Sequence, residues 1–244
     1  MCFGYANFRF VMSYKQYKLK ILLMKTFLIP TLLFISLSAR SQKYGITDST
    51  LKDMCSTLLS QESKLLPDTE RIKSALIKHI SPVLRDLTQS EQNDALDFVY
   101  YRTQRLCKEF KTILNRIEPS KGDWVSVEKK PVSNLTKEAY RAFLKIGKFY
   151  YLESMGDTVQ VTLQNGLWED HFKDGTYSRL KLHWLKDAEF QIEFIESNNI
   201  IRKNFSKPGD KYNYQLLEKY NKKYKMSVEI VGTAQFMTFY MYVK

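Results

Sequence analysis

The chain divides into two regions by the spacing of its apolar residues. Over residues 47–117 they recur every third or fourth position, the period of a helix with one buried face. Thr47 stands where an N-cap belongs, ahead of Leu51, Met54, Cys55, Leu58 and Leu59 on one side of a first helix. After Leu66-Pro67-Asp68, a second helix aligns Ile72, Ala75, Leu76, Ile80 and Val83, with Pro82 bending or ending it. Thr88 and Glu91 have capping-box spacing, and a long third helix follows, its apolar face running from Leu96 through Cys107 and Phe110 to Ile117.

From about Phe143 the period falls to two. Val159, Val161 and Leu163 alternate with polar residues, as do Leu180, Leu182 and Trp184, then Phe190, Ile192 and Phe194. Tyr212, Tyr214 and Leu216 follow, then Tyr224, Met226, Val228 and Ile230. Such alternation predicts about eight half-buried antiparallel strands. Turn residues separate them at Gly156-Asp157, Asn165-Gly166, Asp174-Gly175, Lys186-Asp187, Gly209-Asp210 and Gly232-Thr233. Pro119, Gly122 and Pro131 mark a linker with one short strand at 124–127. The chain therefore reads as α+β: an N-terminal helical bundle of about three helices (44–118), a linker (119–136) and an antiparallel β-meander (137–244). The meander is expected to close as a lipocalin-like barrel or to roll over the helices.

Composition narrows the class. Of 244 residues 44% are hydrophobic and 26% charged, which suits a globular protein. Nine Gly, six Pro and three Cys are too few for a collagen-like fibre or a disulfide-dense miniprotein. The net charge of +12 suggests a polyanionic partner until it is located. Residues 1–41 hold six Lys or Arg and no acid, so the remainder carries +6. From Met24, the chain has Lys25, an apolar stretch at 27–37, and Ala39-Arg40-Ser41 with small residues at −3 and −1. That is the grammar of a secretory signal peptide over about 24–41, cut before Gln42, with Met24 as the initiator and residues 1–41 removed. The product would be periplasmic or secreted, with no stable membrane span. The alternative joins 21–23 to 27–37 as an uncleaved inner-membrane anchor, which buries Lys25 at a cost of about 2.5–3.5 kcal/mol.

Cys55 and Cys107 lie on apolar faces of the first and third helices. In an exported chain such a pair suggests a disulfide, the alternative being two buried thiols. There is no C-x-x-C and there are three His, so no metal or other cofactor is expected. No Walker loop, nucleophile elbow or dinucleotide fingerprint occurs, and the chain reads as no enzyme. Glu169-Asp170-His171 with His183 would permit a metal site, but alternation puts His183 on a solvated face. Lys219, Lys222, Lys223 and Lys225, interleaved with Tyr220 and Tyr224, resemble a nucleic-acid surface; they read as a hairpin tip with its tyrosines inward, and no nucleic acid is expected.

The aromatic content is more informative. Twenty aromatics fall between Tyr140 and Tyr242, and a Tyr inside a barrel needs a partner for its hydroxyl. Trp184, Tyr212, Tyr214 and Tyr224 are therefore the candidate ligand-binding residues. The expected function is a non-enzymatic exported protein that holds a small apolar or aromatic molecule in its barrel. The alternative is an envelope protein–protein interaction module with a filled core and no ligand.

Several segments carry a resemblance. Lys145-Ile146-Gly147-Lys148-Phe149-Tyr150, Leu182-His183-Trp184-Leu185-Lys186-Asp187-Ala188-Glu189-Phe190 and Lys207-Pro208-Gly209-Asp210 supply G-K-F, W-L-x-D-x-x-[YF] and G-D signatures. Over residues 145–244 the chain resembles a family of small uncharacterised exported proteins of Gram-negative bacteria. Some members bear a topoisomerase label, for which this chain has no supporting motif. Members often carry Cys where this chain has Ala188, so a bridge made there is absent. The resemblance implies export and no defined activity.

Overall fold

The computed structural model describes residues 44–186 and 188–244. The expected leader at 1–41, its signal peptide and Asp187 lie outside them.

Six helical segments precede the sheet: α1 (Asp48–Leu59), α2 (Gln61–Lys64), α3 (Asp68–His79), α4 (Ser81–Leu84), α5 (Gln89–Leu106) and α6 (Lys108–Ile117). Thr47 caps α1 in a capping box with Thr50, and Thr88 caps α5 with Glu91. Two expected helices are divided. The second ends at His79, and Pro82 falls in the first turn of α4, where its missing N–H costs nothing. The third breaks at Cys107, whose extended backbone ends α5 and whose Sγ accepts the Phe110 N–H at 3.4 Å to start α6. The change of direction has a use. Arg102 and Arg105 of α5 meet Asp210, in the turn just before the Lys211–Tyr220 strand, while α6 packs Phe110, Ile113 and Leu114 back toward α1 and α3. The Cys55–Cys107 disulfide is present and ties α1 to this break.

The sheet comprises β1 (Val125–Val127), β2 (Lys148–Leu152), β3 (Thr158–Gln164), β4 (Leu167–His171), β5 (Tyr177–Lys186), β6 (Glu189–Ser197), β7 (Lys211–Tyr220), β8 (Lys223–Ile230) and β9 (Gln235–Val243). Strands β2 to β9 each pair antiparallel with the next, and β9 pairs back onto β2 through Phe149↔Val243 and Tyr150↔Tyr242. The result is a closed eight-stranded antiparallel barrel. β1 covers the rest of that β9 edge, with Val125 opposite Thr238, so no long edge stays unpaired. The segment read as a linker thus lies against the barrel. Asn165-Gly166, both at positive φ, makes the β3–β4 turn. Lys186 pairs with Glu189, so the β5–β6 turn falls one residue later than expected and includes Ala188 at φ 62°.

Two helices interrupt the region expected to be all strand: α7 (Lys137–Leu144) and α8 (Ile200–Phe205). α7 closes one end of the barrel. Its Phe143 is fully buried, stacked on Phe149 at 4.8 Å and edge-on to Tyr224 at 5.1 Å. α8 lies at the other end, between β6 and β7, and packs on α5. Arg102 secures that junction: it pairs with Asp48 (2.7 Å) and Asp210 (2.5 Å) and donates to the Phe205 carbonyl (2.9 Å). The barrel is therefore covered at both ends.

Candidate functional site

Most of the bore is filled by side chains. Phe190 stacks on Tyr214 at 5.3 Å and packs against Trp168 at 6.0 Å, and Trp124 reaches in from the β1 segment to stack on Phe239 at 4.1 Å. A cavity of about 50 Å³ lies toward the α8 end, beside Tyr151, Trp168, Asp170, Tyr212, Tyr214 and Arg202. At about 10–15 Å³ per site, it holds a few waters.

The four aromatic candidates do not share this space. Tyr212 and Tyr214 line it. Tyr224 is buried at the opposite end, its hydroxyl donating to the Ala139 carbonyl of α7 at 3.4 Å. Trp184 sits at that same end, 40% exposed, edge-on to Tyr140. Alternation placed Tyr212 and Tyr224 in the interior but not Trp184, which is 40% exposed, and it gave no depth along the barrel axis.

Asp170 points inward and accepts a 2.7 Å hydrogen bond from Trp168 Nε1. Burial pushes its carboxyl up to about 6, against the pull of Arg202 and of the indole bond. Its neighbours in sequence point outward: Glu169 pairs with Arg179 at 2.7 Å, and His171 is exposed. His183 stands opposite Gln191 on β6. No group of three or more His, Cys, Asp or Glu able to hold a metal ion occurs among the described residues.

A larger space adjoins this cavity across Arg202. A cleft of about 600 Å³ opens between the β2–β3 turn, the β4–β5 turn and the start of α8, walled by Met155, Val159, Phe172 and Ile201. Arg202 lines both spaces. It ion-pairs with Glu153, donates to the Tyr151 hydroxyl at 2.8 Å, and lies over the Phe172 ring at 5.4 Å. Burial raises the pKa of Glu153, while the Arg202 guanidinium and the Tyr151 hydroxyl act to lower it. Asp157, Lys173 and Asp174 stand among the lining residues.

Local chemistry sets this geometry. Asn199 caps α8, its Oδ1 accepting the Ile201 and Arg202 N–H groups, while its Nδ2 donates to Thr176 Oγ1 at 2.8 Å. The helix that carries Arg202 is thus tied to the β4–β5 turn. Glu153 is fixed by its own tight turn, donating from its N–H to the Asp157 carbonyl at 2.8 Å. Gly122 packs so closely there that a Cβ would fall 2.1 Å from the Glu153 oxygen.

Sequence reading missed Arg202 and Glu153. The available signal was Asn199 as a cap before a short helix, but nothing local pairs residues 49 apart in the chain. No protein-family model, curated protein or solved structure matches this chain.

Proposed function

We propose that the protein is a non-enzymatic exported binding protein, periplasmic or secreted, that takes a small amphipathic molecule in the Arg202 cleft of a lipocalin-like barrel. One observation carries the reading: a cleft of about 600 Å³ with apolar walls has a buried ion pair at its floor. That volume lies within the roughly 300–1,000 Å³ usual for small-molecule sites, which combine apolar walls with a few convergent polar groups. The apolar part of the ligand packs against Phe172, Met155 and Ile201, and its polar group meets Arg202 and Glu153. The up-and-down strand order supports the lipocalin-like comparison, although here the bore is largely filled. The disulfide supports export, since such bonds persist in oxidising compartments. The exported family that residues 145–244 resemble agrees with that placement.

A thermal-shift panel of fatty acids, sterols and aromatic metabolites tests the reading. At least one class should raise the melting temperature, by up to about 2.7 kcal/mol of stabilisation at a hundredfold excess over Kd. Phe172→Ala and Arg202→Gln should each abolish the shift, whereas Trp184→Leu, at the other end, should leave it intact. If no class shifts the parent, the cleft reading fails. The filled bore then favours the second reading, an envelope interaction module without a ligand.

A further inference from the structure

Exposed cations cluster at the end of the barrel capped by α7. Several guanidinium groups elsewhere are ion-paired: Arg71 with Asp68 and Glu109, Arg179 with Glu169 and Glu196, Arg202 with Glu153. The α7 end differs. Lys137 and Arg141 of α7 and Lys145, its C-cap residue, fall one turn apart, and all are exposed, as is Lys148 at the start of β2. The β7–β8 turn adds exposed Lys219 and Lys222. It adjoins α7, because Tyr224 bonds to the Ala139 carbonyl and Lys222 O accepts from the Val243 N–H. None of these six cations has a carboxylate within ion-pair distance among the described residues. Glu138 and Glu218 stand beside them in sequence and Asp123 accepts from Tyr242 close by, while Glu218 accepts from the Tyr220 hydroxyl.

Apolar side chains stand among these charges. Leu144, between Arg141 and Lys145, is 46% exposed, and Trp184 and Leu185 protrude at the tip of β5. We propose that this α7-capped end of the barrel docks on an anionic lipid surface. The lysines meet the headgroups, while Leu144, Leu185 and the edge of Trp184 enter the interfacial layer. A nucleic acid fits less well. Aliphatic Leu144 and Leu185 have nothing to gain from a phosphodiester, and Tyr224 is buried; Tyr220, expected to face inward, is 42% exposed and is the one tyrosine of this turn open to a base. The inference does not depend on what occupies the Arg202 cleft.

The test is flotation of the full chain with vesicles of phosphatidylcholine alone, or of phosphatidylcholine with one quarter phosphatidylglycerol. Binding is expected to the anionic vesicles alone, and to fall at least tenfold between about 0.05 and 0.5 M salt. Trp184 emission should shift to the blue on binding, since Trp168 is already buried and Trp124 is stacked on Phe239 away from this end. Charge reversal of Lys137, Arg141 and Lys145 to Glu should abolish flotation. Should that variant fail to fold, Lys219→Glu with Lys222→Glu should weaken flotation at least fivefold. The same charge change at exposed Lys52, Lys64 and Lys78 should leave flotation unchanged. Absence of binding by the parent, equal loss in that control, or tighter binding to a single-stranded oligonucleotide than to vesicles would overturn the proposal.

Discussion

Replacing Asp170 with Asn should make the protein more stable at neutral pH, and the size of the effect follows from the carboxyl's surroundings. In an unfolded chain Asp ionises near 3.9, whereas burial beside Trp168 and Tyr214 holds Asp170 at about 6. The folded state therefore keeps a proton across a window in which the unfolded state has lost it. Stability is undiminished below about pH 4, declines as pH rises toward 6, and is lowest above that. Two units at about 1.4 kcal/mol each give roughly 3 kcal/mol at pH 7. Asn cannot ionise, and its Oδ1 can still accept the Trp168 indole bond that Asp170 accepts at 2.7 Å. The assay is urea unfolding followed by tryptophan fluorescence at pH values from about 4 to 7. Parent and variant should agree near pH 4 and diverge toward pH 7, the variant being the more stable. Parallel profiles would refute the reasoning, because Asp170 would then not be the group that titrates. Asp97, which burial raises to about 6, titrates in the same window in parent and variant alike, so the difference between them reports Asp170; Asp48 titrates below it. Burial raises its pKa, but bonds from Arg102 and Lys207 outweigh that and hold it at about 2, so its contribution is lost below pH 4.

Two further outcomes probe the frame. Cys55→Ser or Cys107→Ser should cost about 4 kcal/mol in the chain-entropy model for a 52-residue loop, and should remove the response of the melting temperature to reductant; two free thiols titrated in the native protein would show that the bridge does not form. Arg102→Met should cost about 3–5 kcal/mol in chemical unfolding, because Asp48 and Asp210 lose a shared partner that is 3% exposed; a loss under 1 kcal/mol would mean that this junction is held by apolar packing instead.

Much of this fold was legible because its signals are local. The boxes at Thr47 and Thr88 each lie within four residues, and strand alternation marked inward residues from Val159 to Ile230. The break at Cys107 was hidden, since Leu96 to Ile117 keeps one helical period through a residue that is itself apolar. α7 is eight residues long and α8 six, too short to stand out beside strands. The cleft was the least legible feature. Glu153 comes from the end of β2 and Arg202 from a helix beyond β6, and barrel closure brings them together. Period-two patterning contains no term for position along the axis, which is why Trp184 and Tyr214 looked equivalent.

Depth along the axis is also what separates the barrel's two halves. Toward α7 the interior is dry, with Phe149, Leu216, Met226 and Met241 fully buried. Toward α8 it holds Asp170, Ser178, Tyr151 and Arg202 around the small cavity. A dry half needs no water and accepts a tight cap, so Phe143 can seal it while the outer side of α7 is left to carry unneutralised cations. A half with buried polar groups must keep them paired or hydrated, which favours leaving space beside Arg202. The filled end is suited to attachment and the hollow end to small molecules. Lipid docking at α7 would then leave the Arg202 cleft facing away from the surface, open to ligands in solution.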